Sequence, residues 1–231
     1  MVSITAKQKE RILKTLDAFE NGMRGYGTLV CVADSSMASW KDVRQVSYGR
    51  HQATESSGNL RDVLREYTGT TNAKFPNEAT AIIARLDANE RLCENLDVRT
   101  MLKLMGKDDP VMAITQDAYF SKSFYEPALA WFKVNGFSQA LSLLVIYDSF
   151  IQSGGIRKDI RKKFRESPPK SGGKEKVWVK QYVAAREAWL LSRKSDILRK
   201  TIYRTQCMAT CVKDDNWDLS KPFSANGHKI Q

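Results

Sequence analysis

The stretch TAKQKERILKTLDAFENG, residues 5–22, followed by QVSYGRHQAT, residues 45–54, decides the fold class of this chain. Ile12, Leu13, Leu16 and Phe19 recur at helical spacing, and Thr5 with Gln8 makes a capping box, so residues 5–20 are expected to form an amphipathic helix ending at Glu20. Gly22, Gly25 and Gly27 then end it. Thr28–Val32 and Gln45–Thr54 are short, β-leaning and bounded by Gly and Ser, which predicts a small sheet carrying Ser47 and His51, with Asp42 in the loop before it.

From Asn59 onward the pattern turns helical. Leu60, Val63, Leu64 and Tyr67 mark the first helix, and further helices are expected over about 78–92, 96–106, 110–134, 137–153, 156–166, 174–193 and 196–211. The class is therefore α+β, mostly α. Phe137 to Ile151 is apolar on nearly every side and should be a central helix surrounded by others. Asp148 lies inside it. A carboxylate there needs a cation, and Arg186 and Arg204 are the best candidates for a buried Arg-Asp-Arg network.

The chain has 231 residues, 42% of them hydrophobic, and five Trp, enough for a full core. Its N-terminus carries no apolar run of signal-peptide length, and no run approaches the roughly 20 apolar residues of a membrane span. If the protein acts outside a cell or in a target cell's periplasm, it is expected to be exported by another route or cut from a longer chain. Four cysteines are too few for a disulfide scaffold, and Cys31, Cys93, Cys207 and Cys211 read as buried or free thiols. With only His51 and His228 beside the Cys207–Cys211 pair, no metal is expected, and no cofactor either.

The formal charge is +11, which favours anionic partners and disfavours cationic ones. Much of the excess lies between Arg157 and Lys176, around SPPKSGG at residues 167–173, and reads either as a solvated helix end or as a docking patch. A basic polyanion-binding module is the non-enzyme alternative. No nucleic-acid-binding fold or basic-aromatic repeat accompanies the charge, so no specific nucleic acid is expected.

Two carboxylates on different local structures, with a hydroxyl just after the second, are what glycoside hydrolysis requires. One carboxyl group, kept protonated, gives its proton to the leaving oxygen, while the other, ionised, activates a water. Glu20 is the candidate acid and Asp42 the candidate base, with Ser47 helping to hold the water; Glu55, at the far end of the strand, is the alternative base or a partner in that role. Tyr48 and His51 are candidate sugar contacts, although either residue type is equally at home in a core.

Taken together, Glu20-Asn21, the Asp42 to Ser47 step, GNLRDVLREYT at 58–68, Tyr147-Asp148, GGIRK at 154–158, Ala185-Arg186, Arg204 and NWDL at 216–219 resemble the chitosanases of glycoside hydrolase family 46, in the lysozyme-like superfamily. The resemblance covers most of the chain. It implies a two-lobed lysozyme-like fold with the small sheet beside a catalytic cleft, in one domain with lobes at roughly 1–75 and 95–231. It also implies the acid at Glu20, the base at Asp42, a water-holding hydroxyl at Ser47, inversion at the anomeric carbon, and an Arg204–Asp148–Arg186 network behind the acid. Such a network would by itself lower the acid's pKa, so burial has to win.

Two departures bear on the substrate. Where these chitosanases bind the glucosamine amine with an acidic residue, this chain has Asn59, and where a second acid would help it has Arg193. Both remain candidate substrate contacts. A cationic polymer needs anionic subsites, so the expected substrate is peptidoglycan, cleaved in a lysozyme-like (muramidase) reaction for antibacterial lysis of the cell wall, with chitosan as the alternative. Any inhibitor or immunity protein is beyond what the residues say.

Overall fold

The computed structural model describes residues 4–33 and 44–231. They form two compact units: Met1–Gly22 with Lys122–Gln231, and Met23–Ser121. This division differs from the lobes expected at 1–75 and 95–231. The first helix belongs with the C-terminal half because its apolar face, Ile12, Leu16 and Phe19, is buried in that unit's core.

The first unit is helical. Helix α1, Ala6–Glu20, begins with the expected capping box, Thr5 and Gln8 exchanging side-chain and backbone hydrogen bonds. Next in this unit come α6 (Glu126–Val134) and α7 (Ala140–Ser153), the latter buried on all sides from Ala140 to Ser149 as the apolar run demands. Around α7 pack α1, α6, α9 (Glu175–Leu191) and α11 (Tyr203–Lys213). The exposed amides at the start of α7 are answered by Glu175, which accepts from the N–H groups of Ser138 at 2.9 Å and Gln139 at 2.8 Å and from the Ser142 hydroxyl at 2.6 Å.

Two expected helices are cut short. Only Lys158–Arg161 (α8) forms from 156–166, because the Arg161 guanidinium folds back onto the carbonyls of Phe164 and Glu166. The run 196–211 splits into α10 (Asp196–Lys200) and α11 at Thr201, whose hydroxyl caps back to Leu198. After α11 the residues Asn216–Asp218 pin the tail, with the Leu141 amide bonded to the Trp217 carbonyl at 2.9 Å.

The reading that everything after Asn59 is helical missed a hairpin, β4 (Phe223–Ala225) with β5 (His228–Ile230). Its turn is Asn226-Gly227, at φ of +48° and +82°. That dipeptide is the strongest short signal of a two-residue hairpin.

The second unit holds the expected sheet, an antiparallel meander of β1 (Leu29–Ala33), β2 (Arg44–Tyr48) and β3 (Ala53–Thr54). Ser47 pairs with Val30 on one side and Thr54 on the other. Four helices complete the unit: α2 (Asn59–Thr68), α3 (Pro76–Asp87), α4 (Leu96–Asp108) and α5 (Pro110–Phe120). Gly27 and Gly106 let the chain before β1 cross α4 at backbone contact; a Cβ on Gly106 would lie 2.4 Å from the Tyr26 carbonyl.

Cys31 on β1 and Cys93 are joined in a disulfide, which corrects the reading of all four cysteines as thiols. Cys207 and Cys211 are free and buried. The helix expected over 110–134 is α5 and α6 joined by a π-helical stretch, Ser121–Tyr125. Among the described residues no helix is long and apolar enough to cross a membrane, and no group of three His, Cys, Asp or Glu gathers to hold a metal.

Candidate active site

Glu20 is the last residue of α1, and the end of that helix is braced from several directions. Asn226 in the hairpin turn donates to the Ala18 carbonyl at 2.8 Å, and the Tyr203 hydroxyl donates to the Phe19 carbonyl at 2.7 Å. These bonds satisfy carbonyls that a helix C-terminus leaves open and fix the direction in which Glu20 leaves the helix. The glutamate is not turned into solvent, since its side chain is only 12% exposed.

Behind it lies the expected charge network. Arg204 Nη2 meets Glu20 Oε1 at 2.7 Å, Arg204 Nη1 meets Asp148 Oδ1 at 2.7 Å, and Arg186 Nη1 lies 2.6 Å from Asp148 Oδ2. The last pair is close without hydrogen-bond alignment, and Arg186 spends another nitrogen on Gln152 Oε1 at 2.5 Å. Gln152 in turn donates to the Thr201 hydroxyl at 2.7 Å. Gln152 and Thr201 were not singled out from sequence, yet Gln152 stands one turn after Asp148 on α7 and so shares its face.

The charges divide the two carboxyl groups. Burial raises the pKa of Glu20 and outweighs the opposing pull of Arg204, while the nearby Asp148 pushes the same way as burial. For Asp148, burial also raises, but Arg186 and Arg204 together win and hold it low. Sharing Arg204 with a second carboxylate weakens its hold on Glu20, so the network can orient the acid without forcing it to ionise.

In the sheet-bearing unit, Ser47 is buried on the central strand and donates its hydroxyl proton to Gln52 Oε1 at 2.7 Å. Asp42 lies outside the described residues. Glu55 is neither an exposed turn residue nor a free base: its carboxylate accepts from the Val46 amide at 2.5 Å and the Leu92 amide at 3.0 Å, tying β2 to the turn that contains Cys93. Burial raises its pKa against those two bonds. With each oxygen held by a backbone donor, Glu55 braces the sheet-bearing unit, which speaks against the alternative that made it the base.

Tyr48 is fully buried and cannot stack on a sugar, because β2 is covered on both faces. His51 is likewise core, its ring 4.6 Å from that of Phe120, and burial pushes its pKa down to about 3, which keeps it neutral. Burial of both side chains speaks against either one as a substrate contact. Asn59 starts α2 half-buried and accepts from the Tyr119 hydroxyl at 2.9 Å. Arg193 lies 4.6 Å over the Trp189 ring, just past α9.

The model of glycosyl hydrolase family 46 matches residues 28–223. The chain belongs to that family. It is thus a glycoside hydrolase. No curated protein matches it in sequence. Among solved structures, a mutant chitosanase from Bacillus subtilis MY002 complexed with six GlcN superposes with a TM-score of 0.82 at 22% identity, covering 99% of this chain and 100% of that one. A family 46 chitosanase from Gynuella sunshinyii in complex with chitotetraose gives a TM-score of 0.82 at 21% identity, with 98% of both chains covered. At such identities the likeness speaks for the fold, which is the expected α+β, lysozyme-like one.

Proposed function

We propose that this family member is an endo-acting chitosanase that hydrolyses β-1,4 bonds between glucosamine units with inversion. Glu20 serves as general acid and Asp42 as the base that activates water, with Ser47 helping to hold it. The observation that carries the acid's assignment is Glu20 itself, largely but not wholly shielded from solvent, held by Arg204 and raised in pKa. The substrate is supported by the neighbouring chitosanases, solved with glucosamine oligomers. The peptidoglycan reading finds no such support and gives way to chitosan.

Asn59 and Arg193 remain unlike the acids implied by the resemblance, but α2 still offers a carboxylate. Asp62 is exposed one turn after Asn59, and the Tyr119 hydroxyl reaches both, at 2.9 Å and 3.4 Å. An ammonium group passing this turn meets one negative charge. We assign the site of action to an oxidising compartment, periplasmic or extracellular, because a disulfide such as Cys31–Cys93 is favoured in oxidising surroundings and rare in reducing ones.

The experiment is turnover of soluble chitosan against turnover of purified peptidoglycan sacculi, with Glu20→Gln as the blank. Chitosan should be cut and sacculi left intact. Cleavage of sacculi alone would overturn the substrate assignment and leave the acid's role standing.

A further inference from the structure

We propose that the basic ridge after α8, with the groove it borders, is a docking surface for a phosphate-bearing polymer of a cell envelope, separate from the residues that hydrolyse glycan. Between Arg157 and Lys176 the sequence carries nine cations and three carboxylates. The carboxylates are engaged locally: Asp159 with Arg157 at 2.9 Å and the Trp189 indole N–H at 3.0 Å, Glu166 with the Lys174 amide at 2.6 Å, and Glu175 at the start of α7. Lys158, Lys162, Lys163, Arg165 and Lys170 are exposed and have no carboxylate partner among the described residues.

A solvated, fraying helix end would hold these charges loosely, but this segment is tied down along its length. Arg161 grips the carbonyls of Phe164 and Glu166 at 2.9 Å and 2.8 Å, the Glu166 amide bonds Gln181 at 3.2 Å, and the Lys170 amide bonds the Asn135 carbonyl at 2.9 Å. The cations are therefore presented on an ordered scaffold, which lowers the entropy lost when a multivalent anion binds.

Beside the ridge runs a groove of about 680 Å³ floored by Ala184, Ala185 and Ala188 and walled by Phe164 and Trp189, with Lys163 on its rim. The Arg157 and Arg193 guanidinium groups lie 5.0 Å and 4.6 Å from the Trp189 ring centre. Small floor residues and aromatic walls suit a polyol or sugar backbone, and flanking ammonium groups suit regularly spaced phosphates. Choosing an envelope polymer over nucleic acid rests on the oxidising compartment assigned above; the charge and the groove do not depend on it.

The test is binding of fluorescently labelled poly(glycerol phosphate) and of a labelled DNA duplex by anisotropy, between 50 and 300 mM NaCl, with hydrolysis of a soluble chitosan oligosaccharide followed at 150 mM. The triple variant Lys162→Gln, Lys163→Gln, Arg165→Gln should bind the polymer more than tenfold more weakly at 100 mM salt. Its log–log salt slope should fall by about two to three, since each neutralised contact accounts for roughly 0.7–0.9. Ala188→Glu, placing a carboxylate on the groove floor, should weaken binding as well. Hydrolysis should stay within twofold in both. Unchanged polymer binding in either variant, or tighter binding of DNA than of polymer at every salt concentration, would overturn the proposal without touching the hydrolase assignment. Four thiols titrated in the denatured, unreduced protein would remove the compartment argument and with it the choice of an envelope polymer, and would overturn the proposal as well.

Discussion

A half-buried glutamate that shares one arginine with a buried aspartate has two opposed requirements, and the residues around Glu20 meet both. In the proposed role of general acid it has to enter the reaction protonated, and its raised pKa would then extend activity upward in pH. Activity should fall as pH rises through that raised value, and Glu20→Gln should lose at least 10²–10⁴-fold in kcat while thermal denaturation shows a folded protein. The stability signs follow separately. With its pKa raised, Glu20 contributes stability that is full below the ordinary carboxylate range and is lost as pH climbs through its own value. Asp148 is depressed, so its contribution is present above that range and lost as pH falls through its own value. Asp148→Asn leaves two buried guanidinium groups without their shared carboxylate and should cost about 3–5 kcal/mol in urea unfolding. A variant as stable as the wild type would show that the network carries no such charge.

At the scale of elements, the sequence was most readable where one periodicity ruled. The Thr5–Gln8 capping box, the all-round apolar run of α7 and the β-leaning segments around Ser47 each turned into the expected element. The site was legible in part for the same reason: a lone aspartate on an apolar helix requires cations, and Arg186 and Arg204 supply them. What escaped depends on partners distant in the chain. Glu55 looked like a catalytic carboxylate until the amides of Val46 and Leu92 closed on it, and nothing in residues 52–55 announces Leu92. Tyr48 was misread because β2 is covered on both faces, and His51, in the turn after β2, because the ring of Phe120, distant in the chain, packs over it. Glu55→Gln should therefore keep wild-type kcat at 25 °C while losing about 1–3 kcal/mol of stability, since one oxygen becomes an amide donor facing a backbone N–H. A thousandfold loss of kcat in a stable protein would restore Glu55 as base. The Cys31–Cys93 bond braces the same corner of the sheet-bearing unit. Denatured protein should titrate two thiols, and Cys93→Ser should cost about 2–4 kcal/mol.

At the scale of the whole molecule, a chain of charge +11 that acts on chitosan, as proposed, must overcome its own field to meet a polycation. The repulsion is long-ranged and acts on encounter, whereas the groups around Glu20 act at contact, so salt separates the two. Raising ionic strength from about 0.01 M to 0.1 M shrinks the screening length from roughly 30 Å to 10 Å, which removes most repulsion from distant lysines and leaves close ion pairs largely intact. The kcat/KM on long, fully deacetylated chitosan should therefore rise several-fold over that interval, the gain lying in KM, with kcat nearly constant. Neutralising Lys162, Lys163 and Arg165 should flatten the response by improving the low-salt value, while the two proteins converge near 300 mM. The opposite slope, with activity lost on adding salt, would mean that local carboxylates such as Asp62 dominate the approach of the substrate and that the basic ridge lies outside its reach. The ridge would then be free to hold the enzyme on an anionic surface while the remainder of the molecule handles a cationic chain, a segregation of charge that the net value alone conceals.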